Sequence, residues 1–407
     1  MDILCLMGLF PKEYEKTVEK DTIKYMQIAA NKLQWAIVRG LDAQEGVNVH
    51  ICNSMYIGVY PKTYRKLRIP SFPFSHKVPG DGMNIGFITL PYIKIFSRYF
   101  SSKKYIKNWY KHSCSSSEKV FLVYALTTPF TWLAKYVSKN FPDVKVCIIV
   151  PDLPEYMDYG KMQKRGLYYF YKTAEISNIK KAIKNINYFV LLTDSMKSWF
   201  NKAISYTVVE GIANPDELDD TCKCSVENPV KHIVYAGGIK FEYGVGDLVS
   251  AFCCVEKADW VLDIYGDGPD LANIKALAGD NRNIFFHGPV ANSIVVEKLK
   301  TADLLVNPRK NQELTAYSFP SKIIEYMSSG TPMLAYKLDG VPNEYDNYYF
   351  HIPDRDAGLI EALTQVMDMD RSFKREMGKK AKQFIIENKT PDVQCKKIVQ
   401  LLEHGNV

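Results

Sequence analysis

The stretch Ser318-Phe319-Pro320-Ser321-Lys322-Ile323-Ile324-Glu325-Tyr326-Met327-Ser328-Ser329-Gly330-Thr331-Pro332 decides how this chain is read. Pro320 suits the opening turn of a helix, where its missing N–H is not needed. Gly330 fits just past the helix end, and Pro332 stops the helix from resuming. Ile323, Ile324 and Met327 share one face and should pack inward. Lys322, Glu325 and Ser329 share the opposite side, because residues three and four apart meet on a helix surface. A cation and a carboxylate thus stand together above a helix N-terminus with unpaired N–H groups. Such a place suits a diphosphate, with Glu325 accepting hydrogen bonds from ribose hydroxyls. Spacing alone equally allows an exposed i, i+3 ion pair on an ordinary helix.

Outward from this segment, short apolar runs alternate with helical ones, which argues for an α/β fold with parallel sheets. Strand-like runs at 232–236, 260–265, 283–287, 304–307 and 332–336 surround the segment. They are interleaved with helical patterns at 245–256 and 293–300, and a helical tail runs from Met377 to Leu402. Upstream, strands are expected at 3–7, 47–53, 120–124, 144–150 and 188–192, and a last strand with its exit loop at 207–214. One long helix is expected at 21–41, and others at 93–110 and 167–184. A chain of 407 residues is too long for one ordinary domain. The polar stretch after Pro215 marks the boundary. The division expected is residues 1–213, a linker at 214–228, a second domain at 229–385, and a C-terminal helix at 386–407 returning toward the first domain. In open α/β sheets ligands bind beyond the carboxyl ends of strands. That places candidate loops after 232–236, 261–265, 283–287 and 304–307, including Gly237, Gly238, Gly266 and Gly288.

Composition narrows the class. The chain is 47% hydrophobic, which excludes general disorder. No apolar run approaches the length of a membrane span. Nine cysteines show no metal or redox spacing, and most read as buried thiols of a reducing cytosol. The net charge of +7 is uneven: residues 51–200 carry 23 basic and 8 acidic side chains, residues 229–407 carry 21 and 24. An anionic partner therefore meets the first half.

Residues 232–345 resemble the C-terminal domain of the family 4 glycosyltransferases, which have the GT-B fold of two Rossmann-like domains facing each other across a cleft. The resemblance is carried by Val234-Tyr235-Ala236-Gly237-Gly238, by Tyr243-Gly244-Val245 with Leu248 to Phe252, by Ile264-Tyr265-Gly266-Asp267-Gly268-Pro269, and by the 318–332 segment, which looks like the variant in bacterial surface-polysaccharide transferases. Asn31 to Trp35 and Pro151 to Met157 are looser matches. The resemblance implies a retaining hexosyltransferase that takes a nucleotide-diphosphate sugar and an acceptor, and needs no other cofactor and no metal. Glu325 matches the second of the family's two glutamates. The first falls on Tyr317, so Glu313 is the candidate substitute. The family's basic pair falls on Gly238 and Tyr243, leaving Lys240, Arg309 and Lys322 to supply positive charge. Donor contacts are expected from these residues with Ser318, Phe319, Pro320 and Ser321, and acceptor contacts from Gly8, Tyr124 and Asp152. Catalytic roles are expected for Glu313, Glu325 and Lys322. Asp354-Arg355-Asp356 reads as a helix cap.

Two stretches interleave basic and aromatic residues: Ile93 to Lys111, and Lys161 to Lys184. They suit an anionic membrane surface, and no nucleic-acid motif is present. The expected acceptor is a lipid-linked glycan, met from the cytoplasmic side. A sugar-nucleotide epimerase on the same fold, and a non-catalytic partner of a transferase, remain as alternatives.

Overall fold

The computed structural model describes every residue of the chain except 25, 79, 114–116, 158–166, 220–228, 256, 406 and 407; for 167 and 168 only the backbone is described. The chain divides into two compact units, Met1–Ile212 with Pro391–Val407, and Ala213–Thr390. Most of the expected linker lies outside the described residues, as do Cys222 and Cys224.

In the first unit β1 (Asp2–Met7) is followed by α1 (Glu15–Asp21), α2 (Ile28–Asp42) and β2 (Asn48–Asn53). The helix expected over 21–41 therefore starts only at Ile28, and a separate helix precedes it. Thr22 turns extended after Asp21 and makes a bridge to Tyr64. Short strands follow that the sequence did not signal: β3 (Arg68–Ile69), β4 (Phe72–Phe74), β5 (Gly82–Asn84) and β6 (Phe87–Ile88). Then come α3 (Ile93–His112), β7 (Lys119–Tyr124), α4 (Phe130–Asn140), β8 (Val144–Val150), α5 (Leu167–Ala182), β9 (Tyr188–Leu191) and β10 (Ser205–Val208). The main sheet runs β10-β9-β8-β7-β1-β2-β5-β4, parallel except for β4. Strands covered on both faces read as continuous apolar runs; β1 and β7 are buried along their whole length.

The second unit holds β11 (Lys231–Ala236), α6 (Val245–Cys254), β12 (Trp260–Tyr265), α7 (Leu271–Ala278), β13 (Ile284–Gly288) and α8 (Asn292–Thr301). It continues through β14 (Leu304–Asn307), α9 (Ser321–Ser329), β15 (Met333–Ala335), β16 (Phe350–His351), α10 (Gly358–Asp368) and α11 (Arg371–Asn388). Its parallel sheet has the order β13-β12-β11-β14-β15-β16. This is the doubly wound order in which the chain reverses direction at the first strand, leaving a crevice between β11 and β14. Neither Asp354 nor Asp356 caps α10: the cap residue is Ala357, at φ 60°.

The helical tail is broken. After α11 ends, α12 (Pro391–His404) joins the first unit. Cys395, Ile398, Leu401 and Leu402 are fully buried in the core that holds Ile3, Cys5, Ile37 and Leu41. Gly40 permits this docking, because a Cβ there would collide with the Pro391 carbonyl and sit 2.5 Å from the Cys395 sulfur.

Candidate functional site

The site is built at the carboxyl end of the second sheet. The turns after β11, β12 and β13 are tied together through their backbones. Gly237 N–H donates to the Tyr265 carbonyl at 2.9 Å, and Gly266 N–H to the Gly288 carbonyl at 2.9 Å. The three glycines have φ of 149°, 126° and 70°. A side chain at Gly266 would strike the Gly237 carbonyl. A residue without Cβ is thus needed at Gly266 for the first two turns to stack, and at Gly237 to leave room for Lys322.

Tyr326, in the middle of α9, is fully buried. Its hydroxyl accepts from Ala236 N–H at 2.9 Å and donates to the Ala236 carbonyl at 3.3 Å. This pins α9 to the end of β11 and settles where Lys322 goes. The Lys322 ammonium donates to the Tyr235 hydroxyl at 2.6 Å, lies 3.9 Å from that ring's centre, and fills the space beside Gly237. The Tyr235 hydroxyl in turn donates to the Gly238 carbonyl at 2.8 Å. Burial lowers the Lys322 amine to about 7; the carboxylate of Glu325 opposes that shift and the Arg309 charge adds to it.

Three cations surround one ring. Lys240, Arg309 and Lys322 place their charged groups 5.2, 5.4 and 5.9 Å from the centre of Tyr243. They come from three separate segments, the turns after β11 and β14 and the first turn of α9. Lys240 is held by Glu242 at 2.9 Å. Tyr243 stands where the resemblance sets a basic residue, so the charge that position lacks is gathered around its ring.

Other residues singled out in the sequence fall in different places. Pro320 is the cap residue, with α9 starting at Ser321, rather than a residue inside the first turn. Phe319 is buried against Tyr345, with ring centres 5.6 Å apart, so it is a core residue. The Ser318 hydroxyl is buried without a hydrogen-bond partner among the described residues. Tyr317 is half-buried at the end of a 3-10 turn, and Glu313 stands exposed at its start with no ion pair among the described residues. Ser329 is buried and donates to the Tyr326 carbonyl at 2.6 Å, so it does not share an open face with Lys322 and Glu325. No group of three or more His, Cys, Asp or Glu is placed to hold a metal ion among the described residues.

In the first unit, Gly8 directly follows β1 and Tyr124 ends β7, the two central strands. Both lie inside the unit rather than at its surface. The Tyr56 ring covers Gly8, whose N–H donates to Gln34 at 2.7 Å, and Tyr124 is 1% exposed. Asp152, just beyond β8, keeps solvent contact, yet its surroundings are dense enough that desolvation raises its carboxyl to about 6. Sequence reading missed Arg98. It is buried among the rings of Tyr56, Phe87 and Phe130, and its Nε donates to the Ser54 hydroxyl at 2.8 Å. Its place on a basic helix gave no signal that this one cation turns inward.

A doubly wound sheet, stacked glycine turns and cations gathered at a helix start thus meet at the carboxyl end of the second sheet. Residues 230–369 match the family model for glycosyl transferases group 1. The second unit thus carries a domain of the glycosyl transferase group 1 type, and the chain has the GT-B fold. Similar structures include sucrose-phosphate synthase from Thermosynechococcus elongatus, 13% identical over 99% of this chain and 98% of that one, with a TM-score of 0.65. WaaG, a glycosyltransferase of lipopolysaccharide biosynthesis, is 15% identical over the full length of both chains, with a TM-score of 0.58. An E. coli trehalose-6-phosphate structure bound with UDP-2-fluoro glucose is 7% identical over 99% of both chains, with a TM-score of 0.63. No curated protein matches the sequence.

Proposed function

We propose that the chain moves a sugar from a nucleotide-diphosphate donor, held by the second unit, to a lipid-linked glycan acceptor in surface-polysaccharide synthesis. The observation that carries this reading is the trio Lys240, Arg309 and Lys322 around Tyr243, beside the stacked glycine turns. Breaking the sugar–diphosphate bond builds negative charge on the leaving nucleotide. Cations and backbone N–H groups fixed in place stabilise that charge more in the transition state than in the ground state. Hydrogen bonds to charged groups contribute about 1.5–3 kcal/mol each. Three such contacts favour a metal-independent reaction, and the family resemblance implies retention of configuration. Glu325, three residues after Lys322 on α9, orients the donor. Asp152, whose carboxyl is raised toward neutrality by its dense surroundings, serves the acceptor side.

The acceptor reading rests on α3 and α5. Phe96, Phe100 and Phe170 are 53, 63 and 71% exposed, on helices carrying Lys103, Lys104, Lys107, Lys180 and Lys181. Residues 161–166 of the second basic stretch lie outside the described residues. Aromatic rings among lysines suit the interface of an anionic bilayer, where a lipid-linked acceptor resides. No helix among the described residues is long and apolar enough to cross a membrane.

The test is nucleotide release from a panel of nucleotide sugars, with and without a polyprenyl-diphosphate-linked acceptor. Lys322→Ala and Glu325→Ala are each expected to lose most turnover while keeping the fold. Wild-type turnover in both would remove the donor-site assignment. Conversion of the donor without acceptor would instead make the chain an epimerase.

A further inference from the structure

The second unit has a cavity that none of the residues assigned to the donor line. It encloses about 1160 Å³ between α8, the end of α9, the start of α11 and strands β11 to β13. Gly237, Gly238, Lys240, Arg309 and Lys322 are absent from its wall, whereas Ser329 and Gly330, at the other end of α9, belong to it. With a rise of 1.5 Å per residue, Lys322 and Gly330 stand about 12 Å apart along that helix.

The floor of the cavity is a polar chain. Asp263 is buried between His232 Nδ1 at 2.7 Å and His287 Nε2 at 2.6 Å. Both carboxylate oxygens are thus engaged. Asp303 is engaged as well, accepting from His232 N–H at 3.0 Å and facing Arg371 at 3.5 Å. The basic side has fewer partners. Arg371, Lys374, Arg375 and Lys379 recur at three- and four-residue spacing, so one face of α11 lines the cavity with four basic residues, of which Lys374 directs its ammonium to the Met367 carbonyl at 3.3 Å. Lys298, Arg375 and Lys379 make no ion pair among the described residues. The Arg371 Nε is shielded from solvent with no hydrogen-bond partner there. Lys374 is 4% exposed, and desolvation, then the charges of Lys231 and Arg371, lower its amine. Like charges crowded in a concave, partly desolvated place are relieved by an anion.

The same lining also carries rings and apolar side chains. The rings of Tyr265 and His287 are stacked 4.3 Å apart at 10°, with Val290 and Ile294 beside them. A solvated basic helix face would explain the cations alone. It would not explain their opening into a hollow that also holds a stacked ring pair and has a volume slightly above the usual range of small-molecule sites.

We infer that this cavity is a second ligand site, which takes a phosphorylated small molecule of nucleotide size, its phosphates on the α11 cations and its ring toward Tyr265 and His287. The site is independent of the donor reading and is tested apart from it. Binding of inorganic pyrophosphate and of ADP is measured by calorimetry on the full chain at physiological ionic strength, where screening acts over about 8 Å. The background is Lys322→Ala, so that any donor-loop binding is weakened. One binding event is expected to remain. Arg375→Glu with Lys379→Glu is expected to weaken it by about tenfold or more, and Ile294→Trp, which adds no charge but fills the hollow, to abolish ADP binding. The exposed pair Arg282→Glu with Lys380→Glu, which changes charge equally off the cavity wall, is expected to leave both ligands unaffected. Equal losses in that control pair, or unchanged ADP binding in Ile294→Trp, would overturn the assignment. Absence of any binding event in the Lys322→Ala background would overturn it as well. If Lys322→Ala binds donor nucleotide as the wild type does, only the donor reading fails.

Discussion

The Lys322 amine offers a direct test of the donor site. In the ligand-free protein it titrates near 7, because burial beside Tyr235 removes it from water, with Glu325 opposing and Arg309 assisting. A diphosphate at the glycine turns stabilises the protonated form, so binding raises that value. The sign follows from linkage. Below 7 the amine is already charged and affinity is flat. Above 7 each bound ligand must bring a proton to the amine, and affinity falls by up to tenfold per pH unit until the value in the complex is reached. Each such unit corresponds to about 1.4 kcal/mol. A nucleotide sugar is the probe of choice, because its esterified diphosphate does not itself titrate in this range. Calorimetry at pH 8 in buffers of different ionisation enthalpy should show an uptake approaching one proton. Lys322→Arg, charged at every pH used, should bind with no such slope. Affinity independent of pH between 6 and 9 in the wild type, or the same slope in Lys322→Arg, would refute the argument.

Tyr326→Phe removes the hydroxyl that satisfies both backbone groups of Ala236. It should lower stability by about 1–3 kcal/mol in urea titration, and weaken nucleotide-sugar binding because α9 loses its anchor. Gly40→Ala places a methyl against Pro391 and Cys395. It should cost about 1–3 kcal/mol through overpacking, with amide exchange quickened in α12 and the second unit unaffected. Phe96→Asp with Phe100→Asp should abolish cosedimentation with vesicles rich in anionic lipid while leaving soluble donor binding intact. Binding of the wild type to neutral and anionic vesicles alike would count against the charged-membrane reading.

Much of the fold was legible because its signals are local. β8, β12 and β14 are buried in parallel sheets, so each reads as an apolar run with clear ends. The stop of α9 was legible for a similar reason. Gly330 sits at φ 75°, a conformation that any side chain would strain, and the next turn cannot hide that requirement. The end of α1 at Asp21 was not legible, and that of α11 at Asn388 was marked only by the boundary expected at 385. A bridge to Tyr64 and a docking surface on α2 end those helices, and both partners are far away in sequence. The four short strands between residues 68 and 88 were missed because two or three residues carry no period.

The candidate site divides the same way. The sequence by itself determined which residue types stand in the turns after β11, β12 and β14, and that Lys322 and Glu325 share a stretch of helix. It also set out the lack of a basic residue at position 243. Only the tertiary structure decided that Tyr326 hooks α9 to Ala236, that the Lys322 amine lies over Tyr235, and that Tyr243 becomes the ring around which three cations gather. It also decided that Phe319, Gly8 and Tyr124 turn inward. The physical reason is one of range. Backbone preferences and helix spacing act over a few residues and are written in the sequence. The meeting of side chains from β11, β14 and α9 depends on the register of a sheet and on the hydroxyl that fixes a helix against it.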